Sequence, residues 1–303
     1  MAPLEPEVDL VVNTFERTYR ETLRPGFFPS VEAQNCRRFA RRVVLINNVD
    51  DPGAARARGE ALLRAGEIDE LHFVADHIDR ALAVCGLTRA DLGRIPHYSD
   101  CALVAVTLRG SPWLLYWDAE LSLSHPFDWV GPSLDLLARD ARVLVANPAS
   151  WRGEVRFLTL EVKGEFALSY SFSDSVFLVR REELAQSIYR HACPAALRYP
   201  LAHIATVFEQ RVESFMRAGH RLRASHLGVL YAHPESEGGT YPHATARERL
   251  RRRLYHVLFR FLGYSHARSP RLVVNCRPRA RAERERLADW ERLWSERGLL
   301  SPH

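Results

Sequence analysis

Leu114-Leu115-Tyr116-Trp117-Asp118-Ala119-Glu120-Leu121-Ser122-Leu123 places two carboxylates, one small residue apart, at the end of the greasiest run in the chain. A short apolar and aromatic run of this kind reads as a buried strand. As a surface turn, acids in that position gain little. A site that must hold a cation and a phosphate gains a great deal. On an extended backbone, residues i and i+2 project to the same side. Asp118 and Glu120 can therefore reach one ion, with Ala119 keeping the loop uncrowded. Mg²⁺ and Mn²⁺ prefer hard oxygen ligands and keep waters and substrate phosphates in their shell, so one or two carboxylates suffice. An acid-x-acid alone is commonly a solvated turn, and the surrounding chain has to decide.

Upstream, Asp9-Leu10-Val11-Val12-Asn13-Thr14 is an apolar run closing on polar residues, and Arg42 to Ile46 is a second, closing on Asn47-Asn48-Val49-Asp50-Asp51. Both read as strands that stop where a site begins. A helix is expected from Pro29-Ser30-Val31-Glu32, with Val31, Asn35 and Phe39 at helical spacing. Another runs through Ala55 to Gly66, stopped near the glycine. Glu70 to Val74 reads as a third strand, followed by a helix from about Asp76 to Cys85. Strand–helix–strand–helix–strand argues for a parallel sheet with helices on both faces. In such sheets ligands bind beyond the carboxyl ends of the strands. Asn13/Thr14, Asn47/Asn48/Asp50 and Asp118/Glu120 are three polar clusters at three expected strand ends.

Downstream, a helix from about Pro132 to Arg139 leads into a strand over 142–146. The stretch from Val155 to Leu184 is strand-rich and suggests antiparallel additions. A helix is expected from about Leu201 to Met216, then a strand from His226 to His233. Gly238-Gly239-Thr240-Tyr241-Pro242-His243 reads as a hinge-like loop.

The chain has 303 residues, 47% hydrophobic and 26% charged, an ordinary globular composition with length for a sizeable core. The five cysteines are scattered, with no CxxC pair, which argues against a disulfide framework or a cysteine-rich zinc site. Together with an acidic start that does not look like a signal peptide, this suggests a cytoplasmic setting. The net charge is uneven. Residues 245–303 hold 15 Arg against 6 Asp and Glu, a net +9 where the whole chain is +5, so the remainder carries −4. Leu250, Leu254, Val257, Leu258 and Phe261 fall on one helical stripe, and Leu287, Trp290, Leu293 and Trp294 repeat the arrangement. Such helices pack on a core or a second subunit, or dock on an anionic membrane. No nucleic-acid recognition module is visible. Residues 1–235 are expected to form the main domain and 236–303 a basic helical extension.

Leu10 to Arg17, Val43 to Asp51 and Trp117-Asp118-Ala119-Glu120 together resemble a GT-A glycosyltransferase, nearest the family-2-like group, over roughly residues 8 to 235. The resemblance implies an α/β, Rossmann-like fold: a mixed, mainly parallel sheet flanked by helices, with a C-terminal helical extension. It implies transfer of a sugar, of hexosyl type, from a nucleoside-diphosphate sugar to an acceptor hydroxyl, in bacterial glycan or glycosylated metabolite synthesis. By resemblance, Asn13, Thr14, Phe15, Glu16 and Arg17 line the nucleoside pocket, and Asn48 or Asp50 meets the base or ribose. Asp118 and Glu120 hold Mn²⁺ or Mg²⁺ and the diphosphate, with His233 as a further ligand. The second strand departs from the usual DD-S or DN-S ending, and the metal motif is DAE in place of DxD. An inverting reaction, favoured over a retaining one, needs a carboxylate to deprotonate the acceptor; Glu209 and Asp174 are the candidates. Glu209 and Glu213, spaced i, i+4, also suit a merely solvated helix face.

The resemblance implies a donor, an acceptor of unknown identity, no nucleic acid, and a location in the cytoplasm or peripheral to the inner membrane face. Membrane contact or a homodimer would run through the C-terminal helices. A non-catalytic nucleotide- or glycan-binding protein on the same fold is the alternative. A sugar nucleotidyltransferase is another, but the first strand is not followed by a glycine-rich phosphate loop. The P-loop and the dinucleotide-binding GxGxxG are also missing.

Overall fold

The computed structural model describes residues 6–150, 155, 158–233, 243–262 and 281–296. Its strands are β1 (Val8–Thr14), β2 (Arg41–Ile46), β3 (Glu70–Phe73), β4 (Trp113–Asp118), β5 (Ser122–Leu123), β6 (Val143–Ser150), β7 (Glu161–Lys163), β8 (Phe166–Ser169), β9 (Val176–Arg180) and β10 (Leu222–Ala232). They form one sheet in the order β3-β2-β1-β4-β9-β6-β10-β8-β7, with β5 pairing to β10. β3, β2, β1 and β4 run parallel. β9 is inserted antiparallel between β4 and β6, and β10 lies parallel to β6. β4, β6 and β10 therefore point the same way. This is the mixed, mainly parallel sheet that the resemblance implied, and β7, β8 and β9 are its antiparallel additions.

Alternation along the central strands splits the core in two, because successive side chains leave opposite faces. Val11, Val43, Leu45, Leu114, Tyr116 and Phe177 pack on one face, beneath helices Val74–Cys85, Asp100–Thr107 and Phe208–Ala218. Leu10, Val12, Val44, Ile46, Leu115, Trp117 and Leu178 pack on the other, against helices Phe27–Gln34, Pro52–Arg64 and Val130–Arg139. Trp113 and Trp117 are core residues, so their aromatic surface serves packing; Trp151 lies outside the described residues.

Helix boundaries follow local chemistry. Pro52 opens its helix with Asp51 as N-cap, accepting from the Ala54 amide at 2.9 Å. Gly86, in the left-handed region at φ 66°, ends the helix from Val74. Two expectations shift. The helix placed around Pro29 starts earlier, after left-handed Gly26, and ends at Gln34, which leaves Asn35 and Phe39 outside it. The helix expected from Leu201 begins only at Phe208. Ile204, Ala205 and Val207 instead pack with Ile95 in a separate small cluster, and this packing overrides their helical spacing. The hinge-like loop from Gly238 lies outside the described residues except for His243. No helix among the described residues is long and apolar enough to cross a membrane.

Candidate active site

The topology brings chemistry to one edge of the sheet. Asp118 ends β4 opposite Asn13 of β1. His233 follows the end of β10, which runs the same way. β9 is reversed, so its beginning, not its end, reaches this edge, and Asp174 and Ser175 immediately precede it. The acid loop is pinned by backbone: the Asp118 amide donates to the Ser175 carbonyl at 2.8 Å, and the Ala119 amide to the Asn13 carbonyl at 3.1 Å. The Glu120 amide donates to Asp118 Oδ1 at 3.2 Å, which turns the chain so that both carboxylates face inward.

His233 Nε2 lies 3.6 Å from Asp118 Oδ2 and 3.8 Å from Glu120 Oε2. One donor atom from each of the three residues falls within 4.8 Å of the others. An octahedral ion with bonds of about 2.1 Å spaces its ligands by about 3 to 4.2 Å, so the set needs only small adjustments. Two hard carboxylates with one imidazole suit Mn²⁺ or Mg²⁺. Burial, then repulsion from Asp118, raises the Glu120 carboxyl, with His233 and Arg17 opposing. A divalent cation held by these three residues would offset that repulsion.

These residues form part of the wall of a cavity of about 400 Å³, a size suited to a small ligand. Asn13, Phe15, Arg17, Asn48 and Asp118, placed at the nucleoside by the resemblance, line it together. Arg17 reaches toward Glu120 at 3.9 Å. Thr14 does not line the cavity. It is fully buried, and its hydroxyl meets Thr18 at 2.9 Å and donates to Thr22 at 3.0 Å. Glu16 and Asp50 brace the rim: Glu16 accepts from the Asp50 amide at 2.8 Å and pairs with Arg20 at 3.1 Å.

Asp174 and Glu209, from different parts of the chain, meet in the same cavity, with Asp174 next to the Ser175 that anchors Asp118. The Asp174 amide donates to Glu209 Oε1 at 3.5 Å, and the two side chains also interact. Partial burial pushes the Asp174 carboxyl up to about 6; the Asp118 charge adds to the shift, and Glu209 and His233 oppose it. The helix carrying Glu209 is not solvated on this side. Glu213, one turn on, is wholly buried, bound by Arg198 at 2.5 Å, Arg217 at 2.7 Å and the Tyr199 hydroxyl at 2.7 Å. Those contacts fix the face that presents Glu209.

Residues 97–102 were not recognised from sequence. His97, Tyr98, Cys101 and Ala102 line the cavity, and Asn47, on the same wall, donates to Asp100 at 2.9 Å. The available signal was Ser99-Asp100 ahead of an unbroken apolar run, a combination that starts helices. His226 is a core residue, packed between Phe127 and Phe166 and held down to about 4 by burial. His243 is exposed, and its carbonyl accepts from Arg94.

The four parallel strands, the reversed β9 and the acids at the shared edge match the architecture that the resemblance implied. The fold is a mixed, mainly parallel α/β sheet of the kind that the GT-A resemblance implied. No protein-family model matches the chain, and no curated protein matches it. Among solved structures it is similar to the galactosyltransferase LgtC in complex with donor and acceptor sugar analogues, at 17% identity, covering 70% of each chain with a TM-score of 0.37. It is also similar to GalNAc-T7 with UDP, GalNAc and Mn²⁺, at 10% identity and a TM-score of 0.45, covering 83% of this chain and 48% of that one. A third is glucosyl-3-phosphoglycerate synthase from Mycobacterium tuberculosis with Mn²⁺, UDP and phosphoglyceric acid, at 10% identity and a TM-score of 0.40, covering 84% and 78%. The chain spans about half the length of GalNAc-T7.

Proposed function

We propose that the chain is a metal-dependent glycosyltransferase that moves a sugar from a nucleoside-diphosphate sugar to an acceptor hydroxyl with inversion at the anomeric carbon. One observation carries this: the Asp118, Glu120 and His233 cluster and the Asp174–Glu209 carboxyl pair share a single cavity of about 400 Å³. A binding protein has use for the first group but none for a second, partly desolvated acid pair.

Asp118, Glu120 and His233 would hold Mn²⁺ or Mg²⁺, which stabilises negative charge on the departing diphosphate. Asn13, Phe15 and Asn48 hold the nucleoside end. Arg17, beside Glu120, supplies a fixed positive charge where the diphosphate lies. The Asp174 amide donates to Glu209 and helps to position it. Glu209, which faces the same cavity, takes the proton from the acceptor hydroxyl as that oxygen attacks. His97, Tyr98, Pro200 and Leu201 line another part of the cavity and would shield the sugar from water.

The test is Glu209→Gln, assayed for transfer to an acceptor and, separately, for Mn²⁺-dependent binding of a nucleoside diphosphate. Transfer should fall by about 10² to 10⁴-fold, the usual contribution of a general base, with nucleotide binding retained. Retained transfer removes the base assignment. Nucleotide binding by the native chain without turnover of any donor favours the non-catalytic alternative.

A further inference from the structure

Over its described side chains, helix Ala246–Leu262 leaves its apolar side uncovered. Leu250 is 57% exposed, Leu254 58%, Val257 51% and Leu258 36%, and apart from Val84 these are the exposed large hydrophobic residues among those described. They share one stripe at i, i+4, i+7 and i+8. The helix is attached to the body by a different side. Glu248 is buried and pairs with Arg94 at 3.2 Å, and Arg251 donates to the His203 carbonyl at 3.4 Å. At about 3.6 residues per turn, Glu248 lies nearly opposite Leu250. Arg249 and Arg253 lie beside the stripe on the side away from the body, and both are exposed. Between Ala246 and Leu258 the helix holds five arginines and one glutamate, and that glutamate is already engaged.

The second C-terminal helix, Arg281–Glu296, does not present its apolar side in this way. Trp294 is buried, donates to the Leu227 carbonyl at 2.8 Å and packs with Val162 and Leu230, with Trp290 alongside. One tail helix is thus anchored through its tryptophans, and the other turns leucines outward between arginines.

We propose that helix Ala246–Leu262 docks this protein on an anionic phospholipid surface, with Leu250, Leu254, Val257 and Leu258 entering the acyl boundary and Arg249 and Arg253 meeting lipid phosphates. Charge decides among the occupants. A second copy of the same helix would bring two strongly positive faces together across a two-fold axis. Nucleic acid would meet the arginines but leave the leucines in water. An anionic bilayer satisfies both, as basic amphipathic helices do in the plane of the interface. Arg94 and the 199–207 segment, which receive this helix, adjoin Tyr98, Pro200 and Leu201 in the cavity wall, so docking places the cavity close to the lipid surface.

The experiment is co-sedimentation of the full chain with vesicles of phosphatidylcholine alone and of phosphatidylcholine with phosphatidylglycerol, at low and high salt. The anionic vesicles should bind at least about tenfold more protein, and salt should weaken the binding. Leu250→Ser/Leu254→Ser/Leu258→Ser should lower it by about tenfold or more with the thermal midpoint unchanged, because these side chains are exposed. Arg249→Gln/Arg253→Gln should reduce binding to the anionic vesicles alone, and serves if the leucine variant folds poorly. Equal binding to both vesicle types, no binding, or undiminished binding by both variants overturns the proposal. So does a concentration-dependent dimer, seen by light scattering, that the leucine variant converts to monomer without any vesicle binding. Neither result bears on the donor site, which the nucleotide assays test separately.

Discussion

Asp118 and Glu120 sit 18 to 21% exposed beside His233 and Arg17, so their charges are held close together and partly out of water. A cation joining the two would offset their mutual repulsion. Asp118→Ala should therefore weaken Mn²⁺ binding by at least about tenfold, since even the outer partners of metal ligands cost that much. Titration calorimetry on the folded variant checks it. The raised Glu120 carboxyl adds a pH dependence. A metal ligand must be deprotonated, so binding displaces the Glu120 proton when pH lies below its raised pKa. Mn²⁺ affinity should rise as pH is increased through the acidic range, with proton uptake by buffer visible as a binding heat that varies with the buffer's ionisation enthalpy. Asp100 gives a second test. Burial pushes it up to about 6 against the Asn47 hydrogen bond, so the folded state holds a proton that the unfolded chain releases near pH 4. The resulting penalty is absent below about pH 4, grows between 4 and 6, and is constant above. Asp100→Asn should then stabilise the fold by up to about 3 kcal/mol at pH 7.5, and the gain should vanish by pH 4 in thermal melts.

At the scale of elements, what was legible depended on whether burial was one-sided. β1, β2 and β4 announced themselves through apolar runs that stop on polar residues, and the stops are the site. Helix Asp100–Thr107 did not, because Cys101 through Val106 are buried all round and carry no amphipathic period to read. With it the whole 97–102 wall of the cavity was missed. Asp174 and Glu209 were readable as acids but not as a pair, since their meeting depends on β9 running against β4, a long-range choice that no local pattern encodes. The Glu209 helix shows how a correct spacing can be misread. Glu209 and Glu213 at i, i+4 suggested a solvated face, whereas Arg198, Arg217 and Tyr199, the first and last outside the helix, draw Glu213 wholly inside. Removing one partner from a buried charge network leaves the others uncompensated, at a cost of about 3 to 5 kcal/mol. Glu213→Ala should lower the thermal midpoint by several degrees, measurable by calorimetry. Glu209→Gln should not, because its carboxyl faces the cavity.

Over the whole molecule, the candidate metal ligands come from opposite parts of the chain: Asp118 and Glu120 follow β4, and His233 follows β10, with β9 and β6 between those strands in the sheet. A bound ion would tie these distant strand ends together, so occupancy should register as global stability. The charge of the cavity sets the order of events. Asp118, Glu120, Asp174 and Glu209 face Arg17 and His233, so the wall carries more acids than cations and repels a free diphosphate. Once a divalent ion is held there, the field beside it reverses and the diphosphate gains a partner. Metal and nucleotide should therefore bind with positive coupling, each raising the affinity for the other by the same factor. A melting matrix of UDP, GDP and dTDP, each with and without Mn²⁺, reads this directly. Ligand at about 100 times its Kd stabilises the native state by about 2.7 kcal/mol, so a nucleotide that fits should raise the melting temperature clearly. The rise with both ligands should exceed the sum of the two separate rises. Asp118→Ala should abolish that excess, leaving at most the small shift of the nucleotide alone. A nucleotide shift of the same size with Mn²⁺ and with a chelator would mean that the acid cluster takes no part in donor binding, and the proposed role of Asp118, Glu120 and His233 would fall.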